Sequence, residues 1–168
     1  MIIIVEGPDG AGKSTVAKEL AANYNAALIH TGPPRRDEPA VIQYLGEARH
    51  YMVQPNDTVL DRFHLGERVY GPILRQQDTL GDIGQRQVER MLMSRGFACV
   101  VLCIPPFETC YKNWHARRET ELFTDYGLFV KTFTAFKDIR TTLPLFRYDY
   151  TQETPLQLIE SIEKARRI

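Results

Sequence analysis

The densest chemistry in the sequence lies in Gly7-Pro8-Asp9-Gly10-Ala11-Gly12-Lys13-Ser14-Thr15. The spacing satisfies GxxxxGKS/T, and each residue type has a physical reason. The glycines let the backbone curl until successive N–H groups face inward, forming an anion-binding nest. A helix starting near Lys13 adds its positive N-terminal end. Such a loop holds the phosphates of a nucleoside triphosphate through Gly10, Ala11, Gly12, Lys13, Ser14 and Thr15. Lys13 reaches the β- and γ-phosphates, the Ser14 hydroxyl is placed to ligate Mg²⁺, and Thr15 supports the neighbouring phosphate. The motif specifies triphosphate binding and leaves the fate of the γ-phosphate open.

A second group follows in Leu60-Asp61-Arg62-Phe63. A carboxylate at the end of a strand beside the glycine loop can ligate Mg²⁺ through water or orient an attacking oxygen. Arg62 can grip phosphate oxygens with its planar fork. His64 follows directly and has either a base or phosphate to touch, or a local hydrogen bond to make. Arg35 and Arg36 follow the second apolar run, where contact with an acceptor phosphate competes with a plain polar loop.

These residues need a frame. The apolar runs Ile2–Val5, Ala26–Ile29, Thr58–Leu60, Phe97–Ile104 and Leu143–Tyr148 are short and mostly β-branched. They read as strands buried on both faces of a parallel sheet. Helical patterns alternate with them: Val16, Leu20 and Tyr24; Val88, Met91 and Leu92 before a stop at Gly96; Phe107, Cys110, Tyr111 and Trp114; Phe129, Phe133 and Phe136. A last helix opens with Thr154 as N-cap, Pro155 in its first turn and Gln157 closing a capping box. The expectation is an α/β fold of three layers, α/β/α, with a mostly parallel five-stranded sheet. Ligands then sit beyond the carboxyl ends of the strands, at residues 6–15, 30–36, 61–72 and 105–120.

At this point the sequence resembles a family. EGPDGAGKST, followed by DRFHLGERVYGP with Tyr70 nine residues after Asp61, looks like the thymidylate kinase-like P-loop nucleotide kinases. Pro105-Pro106-Phe107-Glu108 and Ala116-Arg117-Arg118-Glu119 resemble that family's PPE turn and arginine-bearing lid. Gly66 stands where the family has serine, and the family's REPG-like segment is unmatched.

The resemblance implies a P-loop kinase fold over 1–168 as a single domain, with a helical lid at about 112–125. It implies ATP as donor, Mg²⁺, and a (deoxy)nucleoside monophosphate as acceptor. Asp9 would lie near the sugar hydroxyl and the metal, Asp61 and Arg62 near the transferred phosphate, and Phe63 and Tyr70 beside the acceptor nucleoside. Gln85 and Arg86 would border the acceptor base. Arg117 and Arg118 would close over the γ-phosphoryl group, because Gly10-Ala11 leaves no arginine inside the loop. Relatives are often homodimers.

Composition sets the outer limits. Lys plus Arg and Asp plus Glu both number 21 in 168 residues, and 43% are hydrophobic. That balance speaks against a general polyanion binder, so a nucleic-acid end kinase is disfavoured. Cys99, Cys103 and Cys110 form no CxxC pair and read as buried free thiols. The run Ile2–Val5 is too short for a signal peptide or a membrane span, so a cytoplasmic location is expected. Two alternatives stand beside the monophosphate kinase. One is a deoxynucleoside kinase acting on a 5′-hydroxyl. The other is an NTP-binding switch, which lacks support from any Asn-Lys-x-Asp guanine-reading segment.

Overall fold

The five apolar runs pair as β1 (Ile2–Glu6), β2 (Ala27–His30), β3 (Thr58–Asp61), β4 (Ala98–Cys103) and β5 (Leu145–Tyr148) in a computed structural model that describes residues 1–35 and 37–167. The order across the sheet is β2-β3-β1-β4-β5, and every pairing is parallel. β1 is central, with Ile2 level with Thr58 on one side and Ala98 on the other.

Parallel neighbours need crossovers. These are α1 (Lys13–Tyr24), α2 (Ala40–Met52), α3 (His64–Tyr70) with α4 (Gly81–Met93), α5 (Phe107–Arg117) with α6 (Tyr126–Lys137), and a final α7 (Pro155–Arg166). The helices form the outer two layers. Side chains of β1 alternate between faces, as strand geometry demands. Ile3 and Val5 pack with Val16, Leu20, Trp114, Phe129 and Ile162. Ile2 and Ile4 pack on the other face with Tyr44, Val88 and Leu92.

The α7 cap is as the sequence predicts: the Thr154 side chain and the Gln157 backbone and side chain satisfy each other. Two helices carry no clear sequence signal. α2 buries Ala40, Tyr44, Ala48 and Tyr51, a stripe half made of alanine, and Gly46 interrupts its surface. α3 is short and buries His64 and Glu67 beside Leu65, Val69 and Tyr70, so its buried residues mix charge with apolar side chains and give no clean apolar stripe. β2 also departs from expectation. It is an edge strand, and Leu28 is 42% exposed rather than covered on both faces.

The carboxyl ends of β1 and β3 are neighbours. The glycine-rich loop leaves one and the Asp61-Arg62-Phe63 segment leaves the other, so the sheet brings the two groups together.

Candidate functional site

The loop between β1 and α1 is built against β4 and α5. Gly10 has φ 79°, and a Cβ there would fall 2.2 Å from the Cys110 carbonyl oxygen. The backbone of α5 thus presses on the loop. Asn113, one turn further along α5, donates its amide to the Gly10 carbonyl at 3.0 Å and to the Tyr150 hydroxyl at 2.9 Å. One side chain therefore joins the loop, α5 and the segment after β5.

Lys13 is buried, and its ammonium donates to the Pro8 carbonyl at 2.6 Å and lies 3.7 Å from Asp9 Oδ1. Burial pulls its pKa below the ordinary lysine value, opposed chiefly by Asp9. Asp9 is also buried. It accepts from Arg62 Nη2 at 3.1 Å and from the Tyr70 hydroxyl at 3.2 Å. One carboxylate thus gathers the loop lysine, the strand-end arginine and the α3 tyrosine. Arg62 reaches it from a left-handed backbone, φ 72°, an arrangement that costs a non-glycine residue about 1–3 kcal/mol. Its carbonyl accepts from Thr31 Oγ1 at 2.7 Å, which helps hold that conformation.

Asp61 ends β3 beside the loop. Its Oδ2 accepts from Ser14 Oγ at 2.8 Å and faces His30 Nδ1 at 3.1 Å. Its Oδ1 is buried with no partner among the described residues. An orphaned carboxylate oxygen costs free energy unless something fills it. A hydroxyl and a carboxylate at 2.8 Å, one oxygen still open, suit Mg²⁺, which takes one or two protein oxygens and completes its shell with water and phosphate. Ser14 and Asp61 are therefore the residues that would hold it. No cluster of three or more His, Cys, Asp or Glu suited to a metal occurs among the described residues.

Glu6 sets the entry angle of α3. It is buried, and its Oε1 accepts from the N–H groups of Phe63 at 2.8 Å and Gly66 at 3.0 Å. A Cβ at Gly66 would meet Glu6 Oε2 at 3.2 Å, which favours glycine where the family has serine. Burial raises the Glu6 pKa from 4.5 to about 7, against the pull of those two N–H groups and of Lys13 and Arg62. A raised carboxyl contributes stability that is complete below 4.5 and is lost as pH climbs through 7. Glu6→Gln keeps the acceptor oxygen and removes the titration. Between pH 5 and pH 8 the wild type should lose on the order of 3 kcal/mol relative to this variant. Urea denaturation midpoints of both proteins at the two pH values check it.

The remaining candidates separate. Phe63 is buried edge-on to Tyr44 at 5.1 Å and lines a small cavity beside Arg62, Tyr70 and Thr31. His64 is fully buried, with Nε2 3.3 Å from Glu89 Oε1. Gln85 donates to Glu89 at 2.9 Å and to the Arg140 carbonyl at 2.8 Å. Glu89 also accepts from Thr141 and Thr142. Burial alone would raise its pKa, but His64 and these donors hold it near 2. Gln85 and Arg86 line a different cavity, with Arg68 and Arg140 and without Asp61 or Arg62. Arg35 lines a third cavity of about 410 Å³. Arg36 lies outside the described residues.

Arg117 and Arg118 sit where α5 gives way to a 3-10 turn, Arg118–Thr120. Arg117 is 61% exposed and pairs with Glu121 at 3.4 Å, while Arg118 contacts His115. Glu121 is pushed above the usual carboxylate range by burial and by Asp9, with Arg117, Lys13 and Arg62 opposing. The segment after α5 thus shares an electrostatic neighbourhood with the loop.

Sequence reasoning passed over four residues. Tyr44, Glu67 and Arg75 line the cavity beside Arg62. Tyr150 lines a cavity of about 340 Å³ against Gly12, Thr15 and Pro155. One signal was present: Glu67 precedes Tyr70 by three residues, so the two share a face of α3.

No family model matches the chain. Solved structures superpose along nearly its whole length. The YorR protein of Bacillus subtilis, in complex with phosphorylated GDP, matches with a TM-score of 0.74 at 18% identity, over 98% of this chain and 95% of that one. The deoxyadenosine kinase of M. mycoides with bound dCTP gives 0.61 at 16% identity, over 100% of both chains. The thymidylate kinase of Candida albicans gives 0.60 at 18% identity, over 98% and 92%.

The chain has the P-loop kinase fold.

A match to a curated sequence is shorter. The adenylate kinase of Anaeromyxobacter sp. (strain Fw109-5) is 43% identical over 61 residues, which is 36% of this chain and 28% of that relative. Within the P-loop kinase fold, the loop, the β3 carboxylate and the segment after α5 occupy the carboxyl edge of the sheet together. No described helix is long and apolar enough to cross a membrane.

Proposed function

We propose that the chain transfers the γ-phosphoryl group of ATP to a nucleotide acceptor, a (deoxy)nucleoside monophosphate. The observation that carries this reading is Asp9, whose buried carboxylate links Lys13 on the triphosphate side to Arg62 and Tyr70 on the side of a second cavity. A triphosphate loop alone supports binding or hydrolysis. A second cavity lined by Arg62 and Tyr70 beside it supports a second substrate.

In the transfer, an acceptor phosphate oxygen attacks the γ-phosphorus and the bond to the β,γ-bridging oxygen breaks, so ADP leaves. A phosphate monoester brings its own anionic nucleophile, and no general base is needed. Lys13 and Arg62 neutralise charge on the phosphoryl oxygens. Bound Mg²⁺ would supply further positive charge to the phosphates, held by Ser14 and Asp61. Arg117 and Arg118 lie on exposed stretches of chain after Trp114, and on this reading they would swing in once both substrates are present. The double variant Arg117→Ala/Arg118→Ala should lower kcat by roughly 10³-fold or more with little change in ATP affinity, because a late arginine acts on the transition state. Steady-state rates and equilibrium ATP titration of the same variant check this.

A nucleoside acceptor is the second reading, favoured by Asp61 Oδ1, which is buried without a partner among the described residues and could accept a hydroxyl proton. The deciding experiment is a panel of ribo- and deoxynucleoside monophosphates and nucleosides with Mg-ATP, following ADP by chromatography. ADP formation with a monophosphate supports the first reading, and with a nucleoside the second. ADP at background with every acceptor defeats both.

A further inference from the structure

α3 buries a carboxylate that the transfer chemistry does not use. Glu67 lies 4% exposed on the face it shares with Tyr70. A single turn of π-helix, Gly71–Arg75, follows α3 and swings Arg75 back to pair with Glu67 Oε2. Wide turns of this kind interrupt regular hydrogen bonding and are frequent at functional sites. The pair forms a wall common to two cavities. One holds Arg62, Phe63 and Tyr70; the other, about 410 Å³, holds Arg35 and Thr79.

The pair is only half used. Arg75 contacts one carboxylate oxygen through one nitrogen. Among the described residues no hydrogen bond is seen to Glu67 Oε1 or from the other guanidinium nitrogens of Arg75. The carboxylate of a mostly buried residue and a partly buried donor fork stand side by side in the lining of a cavity bordered by Tyr44 and Phe63. That pattern suits a flat heterocycle with hydrogen-bond donors beside an acceptor on one edge.

We propose that Glu67 and Arg75 read the base of the acceptor, and that this base is guanine. The inference rests on the acceptor reading above. Guanine offers a ring N1–H and an exocyclic N2–H next to each other, which donate to a carboxylate, and O6 beside them accepts from Arg75. Thymine places a single N3–H between two carbonyl oxygens, so part of the Glu67 carboxylate would face a lone pair. Cytosine and adenine bring an amino group with no ring N–H beside it. Only guanine among the common bases supplies two adjacent donors. A site built to pair with a substrate N–H can reject an analogue lacking it by roughly 10⁴-fold, because its own buried groups are left unpaired.

The test has two arms. In the first, kcat/KM is measured for guanylates, thymidylate, cytidylates and adenylates with Mg-ATP, and calorimetry ranks their binding to the wild type. Guanylates should lead by roughly 10²-fold or more. A pyrimidine or adenine monophosphate that equals or exceeds them overturns the inference and leaves the kinase reading intact. In the second, Glu67→Gln replaces one acceptor with an amide donor. KM for guanylate should rise about tenfold or more, with a smaller change in kcat, and the gap to thymidylate should shrink. An unchanged base ranking in this variant also overturns the inference. Should no acceptor turn over, the kinase reading fails by itself and the calorimetric ranking still decides: equal binding of guanylate and thymidylate to the wild type overturns the guanine assignment.

Discussion

Lys13→Met should lower kcat for phosphoryl transfer by about 10²–10³-fold while the protein keeps its stability or gains some. The two halves of this result have one cause. The Lys13 ammonium is buried, with the Pro8 carbonyl as its short contact and Asp9 further away at 3.7 Å. Burial pulls its pKa down, so folding holds this charge against its preference. Methionine has a similar length and no charge to desolvate. The fold should therefore tolerate it, while under the proposed function the transferring phosphoryl group would lose a fixed cation. Asp9 retains Arg62 and Tyr70, so the site does not collapse around an unpaired carboxylate. Thermal denaturation and steady-state rates of the same preparation check both halves. A fall in melting temperature matching the fall in rate would mean that Lys13 serves the fold.

Gly10→Ala should do the opposite, destabilising the protein by about 3–5 kcal/mol before any nucleotide is added. The new Cβ would stand 2.2 Å from the Cys110 carbonyl oxygen and 2.9 Å from the Trp114 backbone nitrogen. Both are backbone atoms of α5, so no side chain can rotate away. The φ of 79° adds strain that alanine does not relieve. Gly46→Ala is the control. Gly46 lies exposed in α2 with nothing within 4 Å of a Cβ, and alanine there should stabilise by about 0.5–1 kcal/mol. Denaturant titration of the two variants beside the wild type gives the comparison. Equal stability of Gly10→Ala and wild type would mean that α5 yields to the loop.

The loop was legible because its chemistry is local. Nine consecutive residues carry the motif, and each residue type answers a requirement of phosphate binding that can be read without knowing the loop's distant neighbours. Asp61 and Arg62 were legible at one remove, since a β-branched run ending in charge places them at the carboxyl edge of a parallel sheet. Glu67 and Arg75 were not. Their meeting depends on a π-helical turn, which no residue pattern announces, and eight positions separate them. Family resemblance puts Gln85 and Arg86 beside the acceptor base. In the structure Gln85 is engaged by Glu89 and the Arg140 carbonyl in a separate cavity. α2 was hidden because alanine fills half of its buried stripe, and small residues barely raise the apolar contrast that periodicity depends on.

The contact between Gly10 and α5 has a further consequence, for the order of events during synthesis. Residue 2 of the central strand pairs with residue 58 and with residue 98, and the loop that follows it rests on the carbonyl of Cys110. None of these partners exists when the loop leaves the ribosome. The nascent chain therefore carries its glycine-rich loop without a fixed shape until α5 has been made. Contacts of such long sequence separation form slowly, because loop closure must precede the gain from pairing. A ligand held by this loop cannot nucleate the fold through the loop alone; it can only trap a fold that distant segments have already closed.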